Sequence, residues 1–558
     1  VGKSNTLATK KVFLVDFEFR QQDGGRPSPL CLVVKEWPTG QTQRIWLESN
    51  TRSPFNFGNN VLVVAFYASA EIGCLLELGW DLPSHVLDLY PEFRLLISGG
   101  RPTAGFGLLG ALMHFGLSGG VTEARKEEMR GLAQQESLSE DEKSALLTYC
   151  EGDVTDLGKL LTVMQTRIDF PRALIRGRYM VAAARIERAG IPVDTKTLCS
   201  IKSHWQDFKG DLIAAIDADF GVFVNDSFNA QRWLAWCERK KIPWPLHPSG
   251  QPKLDDDTFR DMAKIFPEIL PMKELRVNLG QLRLQNLAVG ADGRNRYLLS
   301  AFGSVTSRNQ PSTSKGIFGP ATWFRFLIKP LPGRALAYLD YEQQEFGIGA
   351  SLSGDKNMKE AYASGDPYLT FAKQAGAVPP NATKKSHPGE RDLYKTCALG
   401  VQYGIGQASL GVQLNLTAAH GRELIEKHKQ VYRIYWRWSD AIEARAMLGW
   451  PLVTAFGWRT VAGSAANPRS LRNFPLQANG AEMLRVACIA LTEAGITVCA
   501  PVHDAVLIEA AENEIEEMVA TAKHLMERAS RAVLGDFTLR TEEKIIRWPD
   551  RFSDPRVL

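Results

Sequence analysis

Two aspartates far apart in the chain, Asp340 in DYEQQEFG and Asp504 in VHDAV, bracket a third segment, RDLYKTCALGVQYG, that begins at Arg391. Asp340 follows the apolar run Ala335-Leu336-Ala337-Tyr338-Leu339, which predicts a buried strand with the carboxylate where the strand ends. Asp504 lies between Val498-Cys499-Ala500-Pro501-Val502 and Val506-Leu507-Ile508, two β-prone runs joined by a tight His503-Asp504 turn, the pattern of a hairpin. Carboxylates on two rigid supports can hold a pair of divalent metals about 3.5–4 Å apart, the arrangement that activates a hydroxyl and grips a triphosphate in nucleotidyl transfer. By itself, an aspartate after a strand is more often a cap or turn residue, so the third segment carries the argument.

From Arg391 the residues Arg391, Lys395, Leu399 and Tyr403 recur every four positions, which on a helix sets them along one slowly rotating face. Two cations one turn apart can bind a triphosphate, Arg as a planar fork and Lys as a point charge, while Leu399 and Tyr403 can meet a sugar and a base. An amphipathic helix with a solvated basic edge accounts for the segment equally well if it stands alone.

These segments resemble the family A DNA polymerases, whose first motif reads close to DYSQIELR; Asp340, Tyr341, Gln343 and Glu345 stand in the matching places. The second motif, R-x-x-x-K-x-x-x-F-G-x-x-Y-G, is matched by Arg391, Lys395, Gly400, Tyr403 and Gly404, and V-H-D-E by Val502, His503 and Asp504. Between them, R-x-x-x-N-x-x-x-Q appears as Arg469, Asn473 and Gln477; upstream, Thr306 and Arg308 look like the family's T-G-R. The resemblance implies that Asp340 and Asp504, with the Tyr341 carbonyl, hold two Mg2+ ions, for which Mn2+ can substitute. It implies that Arg391 and Lys395 bind the incoming triphosphate, with Lys395 also donating a proton to pyrophosphate, and that Gln343, Leu399 and Tyr403 line the nucleotide site. Glu345 would exclude a 2′-hydroxyl, and Arg308, Arg469, Asn473, Gln477 and His503 would touch DNA.

Four positions depart from the pattern. Leu399 stands where Phe or Tyr is usual, Ala505 replaces an acid, Gly347 replaces the Arg that ends the first motif, and Ser307 replaces the Gly before Arg308. Both aspartates and both helix cations survive, which reads as a divergent branch.

A second constellation occupies the first 165 residues. Val12-Phe13-Leu14-Val15 leads into Asp16-Phe17-Glu18, and residues two apart on a strand share a face, so both carboxylates can meet one metal. Ser139 and Glu142 form a capping-box pattern opening a helix that carries Tyr149 and Asp153 four apart. Asp-x-Glu plus Tyr-x-x-x-Asp resembles the 3′–5′ exonuclease domain of the same family, with an RNase H-like fold. That likeness implies a two-metal site of Asp16, Glu18 and Asp153, with Tyr149 orienting the attacking water. The remaining family carboxylate is the Asp of H-N-x-x-F-D; here the stretch is Phe66-Tyr67-Ala68-Ser69-Ala70-Glu71, so Glu71 is the candidate and the Asn has gone. Asp88 matches an Asp expected to support structure.

The expected architecture is multidomain α/β: an RNase H-like exonuclease unit over 1–165, then a right-hand polymerase domain over 166–558. A link is expected around Phe170-Pro171, a helical thumb over about 195–300, a palm over about 301–370 and 470–558, and fingers over about 371–469. The absence of a preceding 5′-nuclease segment suggests a phage-like replicative type. With 558 residues, 44% of them hydrophobic, the chain can bury several cores. A net charge of +4 is small, so DNA contact would come from local patches; Lys273, Arg276, Arg283, Arg294 and Arg296 form one candidate, for which a solvated helix face is an equally good account. Eight cysteines without a C-x-x-C pair argue against a zinc site and fit a reduced cytoplasmic setting, the host's if the chain is phage-encoded. No apolar run has transmembrane length. The expected partners of a monomer are primer-template DNA and dNTPs, with a processivity factor, helicase or primase beside them. A single-subunit RNA polymerase and a catalytically silent nucleic-acid-binding module are the competing readings.

Overall fold

The structure is a computed structural model that describes residues 11–48, 51–53, 60–120, 122–281, 286–319, 322–463 and 466–553. Near its start, strand Lys11–Arg20 pairs antiparallel with Ser28–Trp37 and parallel with Val61–Ala65. Thr42–Trp46 and Val86–Asp88 complete a mixed five-stranded sheet with Lys11–Arg20 at its centre. The apolar positions of the central strand alternate between its two faces, Val12 and Leu14 packing into one core, Val15 and Phe17 into another. Helix Glu140–Met164 lies against this sheet and opens with the expected box: the Glu142 N–H donates to Ser139 Oγ, and the Ser139 N–H donates to Glu142.

The expected link at Phe170-Pro171 is not a linker. Both residues lie in the first turn of helix Phe170–Ala189, capped by Asp169, where a proline costs no hydrogen bond. This helix packs on Val86–Asp88, on Ser69–Glu77 and on Pro468–Glu493, so it ties the first sheet to the rest of the chain. Gly177 permits the approach, since a Cβ there would meet the Val86 carbonyl at 1.9 Å.

Residues 195–281 form helices around a separate aromatic core of Phe220, Trp233, Trp236, Trp244 and Phe259. The candidate basic patch does not form an open surface here. Arg276 donates to the Leu254 carbonyl and lies over Phe228 and Phe259, Arg294 pairs with Glu509, and Arg296 is buried against Asp292; Arg283 lies outside the described residues.

A second sheet, antiparallel, has the order Thr497–Val502, Ala505–Ala511, Arg334–Tyr341, Thr541–Arg547. Its central strand Arg334–Tyr341 is covered by helices Ile515–Leu534 and Pro468–Glu493. Helices from Lys356 to Met447 and a short hairpin at Leu452–Thr460 fill the span between its strands. Among the described residues no helix is long and apolar enough to cross a membrane.

Candidate functional site

The strand and the hairpin that the sequence called for meet at one end of the second sheet. Asp340 sits at the penultimate position of its strand, opposite Ala505 in register, and Asp504 lies in the turn beside it, after His503 in a left-handed conformation (φ +57°). The two carboxyl groups share a hydrogen bond. Burial pushes the Asp504 carboxyl above its usual range, opposed by a backbone N–H and by the Arg308 charge. Arg308 donates to Glu345 at 3.1 Å, and Tyr403 hydrogen-bonds the same carboxylate. Asp340, Asp504, Arg308, Glu345 and Tyr403 therefore form one contiguous site.

Helix Pro388–Gln402 carries Arg391, Lys395 and Leu399, and Tyr403 caps it. Leu399 and Tyr403 are 39% and 47% exposed, open to a ligand, and Lys395 is exposed. Arg391 pairs with Asp366 at 2.5 Å and with Asp392 at 3.3 Å. Arg469, Asn473 and Gln477 follow one another by single turns on helix Pro468–Glu493, and Gly404, in a left-handed turn, abuts the Arg469 side chain. A cavity of about 450 Å³ is lined by Arg308, Asn309, Tyr179, Arg485 and His503. The Tyr341 phenol is buried and donates to the Met526 carbonyl at 2.6 Å, which fixes the strand end, while Gln343 caps the next helix at φ +43°.

Three of the four departures have a structural setting that bears on them. A Cβ at Gly347 would meet the Leu539 Cδ2 at 2.3 Å, so any side chain there would have to displace the end of Leu539. Ala505 is fully buried against Asp340, where an added carboxylate would crowd the pair. Ser307 has a left-handed backbone (φ +61°), a conformation that glycine adopts freely, and is held by Arg485, which donates to the Ser307 carbonyl and hydroxyl at 2.7 and 2.9 Å. Nothing in the structure explains the choice of Leu399.

The first sheet carries the other site. Carboxylate oxygens of Asp16, Glu18 and Asp153 lie within 4.8 Å of one another. Glu71 is buried on helix Ser69–Glu77 and raises the proton affinity of Glu18, while Asp16 raises that of Glu71. Burial is the main cause of upward shifts for all four, with repulsion from Asp153 and Glu18 adding at Asp16. Asp153 is pushed up to about 6, held back by a hydrogen bond from Tyr149. Asp16 Oδ2 and Glu71 Oε2 are buried with no hydrogen-bond partner among the described residues. Acceptors left bare in a low dielectric are costly, and a divalent cation is the ligand whose charge suits this donor set. Asp88 has the supporting role expected of it, accepting the N–H groups of Tyr67, Ala68 and Tyr90 at 2.8–2.9 Å.

Residues 321–545 match the family model described as DNA polymerase family A. It is residues 321–545, and not the whole chain, that carry this likeness. The chain is 32% identical over 212 residues to the thermostable DNA polymerase I of Thermus thermophilus, covering 35% of this chain and 25% of that one. To DNA polymerase I of Chloroflexus aurantiacus it is 29% identical over 451 residues, covering 73% and 47%. The chain thus spans a quarter to a half of the length of these relatives. Among solved structures, the POL domain of Pol1 from M. smegmatis in complex with DNA primer-template and dNTP superposes with a TM-score of 0.74 at 19% identity, covering 97% of this chain and 96% of that one.

Sequence reasoning missed Asp366 and Arg485. Asp366 precedes Pro367 and accepts the Leu369 N–H, a cap signature readable in the sequence, but its ion pair with Arg391 is a tertiary contact. Arg485 gives no local signal; it is buried on a helix and reaches Ser307 across the fold.

Proposed function

We propose that the chain is a DNA-templated DNA polymerase with a 3′–5′ proofreading exonuclease. The observation that carries the reading is the convergence of Asp340 and Asp504 with Glu345, Arg308 and Tyr403, residues from four separate motifs. We assign residues 1–165 to the exonuclease, about 195–300 to a thumb, about 301–370 and 470–558 to the palm, and about 371–469 to the fingers.

Asp340, Asp504 and the Tyr341 carbonyl would hold Mg2+ in the polymerase site; Asp16, Glu18, Glu71 and Asp153 would hold it in the exonuclease site. Bound there, the ions supply Lewis acidity and lower the proton affinity of the attacking oxygen. The reaction joins the primer 3′-oxygen to the α-phosphorus, breaks the α–β bridging bond and releases pyrophosphate. Arg391 and Lys395 bind the triphosphate, and Lys395 delivers a proton to the departing group. Glu345, pinned by Arg308 and Tyr403, occupies the space a 2′-hydroxyl would need. Arg469, Asn473, Gln477 and His503 line the path of the duplex. In the exonuclease site, Tyr149 orients the attacking water from its place beside Asp153. Primer-template DNA and dNTPs are the substrates.

Extension of a labelled primer-template with Mg2+ and either dNTPs or NTPs tests this. Extension with dNTPs alone is the expected outcome. Preferential extension with NTPs would favour an RNA polymerase, and binding without incorporation would favour a silent module.

A further inference from the structure

The loop from Ser300 to Arg308 is strained: Ser300, Phe302 and Ser307 all have positive φ (49°, 57° and 61°) without being glycine. Such conformations persist only where the surroundings over-determine them. Arg485 grips Ser307, and Trp458 stacks on Phe302 at 5.5 Å and donates to the Val305 carbonyl at 2.9 Å. Two further grips come from the N-terminal unit. The Ala301 N–H, itself buried, donates to the Tyr67 hydroxyl at 3.2 Å, and Arg94 donates to the Gly303 carbonyl at 2.9 Å. Arg94 is fixed over Phe106 at 4.0 Å and bonded to the Tyr90 hydroxyl, whose ring meets Tyr67 edge-on at 5.1 Å. Ser98, at the end of the same helix as Arg94, accepts the Val461 N–H at 3.0 Å, next to the hairpin that carries Trp458.

Tyr67 stands where the exonuclease pattern has its asparagine. Its left-handed backbone (φ +75°) is one that asparagine adopts more readily than tyrosine, and its hydroxyl accepts the Ala301 N–H. The loop it touches ends at Arg308, which holds Glu345.

Resting on the polymerase reading, the geometry points to Tyr67 and Arg94 as positioning residues of the polymerase site: the N-terminal unit braces the strained loop so that Arg308 holds Glu345 in place. Part of the exonuclease motif has been redeployed to support polymerisation.

The test uses the full chain with Tyr67→Phe, Arg94→Ala and Arg94→Lys, each also combined with Arg308→Ala. Tyr67→Phe and Arg94→Ala should each slow single-dNTP insertion about fivefold, the scale of one lost hydrogen bond. Each should also lower the dNTP-to-NTP selectivity ratio, because Glu345 is loosened, while single-strand digestion stays within about twofold; Arg94→Lys should recover part of the loss. In the Arg308→Ala background neither should add a further effect, since both act through that residue. Unchanged insertion and selectivity in both single variants would overturn the brace, as would equal losses of insertion and digestion, or full additivity with Arg308→Ala. A parent that digests single strands but does not extend primers would instead overturn the polymerase reading.

Discussion

The two carboxylate sites solve the same electrostatic problem in opposite ways. The N-terminal site gathers Asp16, Glu18 and Asp153, with Glu71 coupled electrostatically to Asp16 and Glu18, and among the described residues none of the four has an arginine or lysine in ion-pair contact. The C-terminal site has two aspartates that share a hydrogen bond, beside Arg308 and near a helix bearing Arg391 and Lys395. The first relies mainly on protons or metal cations, with Lys126 and Arg130 offsetting part of the charge on Asp153 and Glu18 from a distance; the second has Arg308 beside its aspartates. Ligand substitutions should therefore act most sharply in the first, and cation substitutions in the second.

Asp16→Ala and Glu71→Ala should each reduce digestion of a mismatched 3′ end by about 100-fold or more, because a ligand shift of about an ångström already costs that much. Glu71→Asp should retain activity. Rapid digestion by Glu71→Ala but not by Asp16→Ala would show that another residue completes the site. In the C-terminal site, Lys395→Ala should slow the pre-steady-state insertion rate about 100-fold, the range for a lost general acid. Arg391→Ala should weaken triphosphate binding as well, while freeing Asp366. No rate loss for Lys395→Ala would remove it from the chemistry.

Glu345→Ala should lower dNTP-to-NTP selectivity about tenfold or more, since exclusion by clash disappears when the side chain does. An unchanged ratio in single-nucleotide insertion would show that Glu345 is merely a partner for Arg308.

The smallest effect is on stability. Carboxyls shifted upward in the folded state, Asp153 to about 6 and Asp88 to about 7, hold protons that the unfolded chain gives up near pH 4. Folded protein binds more protons in that window, so their contribution to stability falls as pH rises from about 4 to about 7. With chelator present, the melting temperature should be a few degrees lower at pH 8 than these groups permit at pH 5. Mg2+ should raise it more at pH 8 than at pH 5. An equal Mg2+ effect at both pH values would separate metal binding from these carboxyls.

The motifs and their supports were legible because each is local. The apolar run before Asp340, the hairpin around Asp504, the Ser139–Glu142 box and the four-residue spacing from Arg391 all correspond to observed elements. Glu71 was legible only by alignment, yet the fold brings it to Asp16 and Glu18. What failed depended on distant partners. Phe170-Pro171 read as a link because Pro marks both loops and first helical turns. The basic patch failed because Glu509, Asp292 and the Phe228–Phe259 pair neutralise or cover its arginines from elsewhere in the chain. Arg485 and Asp366 escaped notice for the same reason.

The most direct measurement places the parent, Asp340→Ala and Asp16→Ala on one labelled primer-template with a mismatched 3′ end, with Mg2+ and dNTPs, following both longer and shorter products. Asp340→Ala should shorten the primer and never lengthen it. Asp16→Ala should leave the mismatched end undegraded and still extend a matched primer at the parental rate. Loss of both activities in either variant, or lengthening by Asp340→Ala at near the parental rate, would mean that the two carboxylate clusters are not two separate active sites.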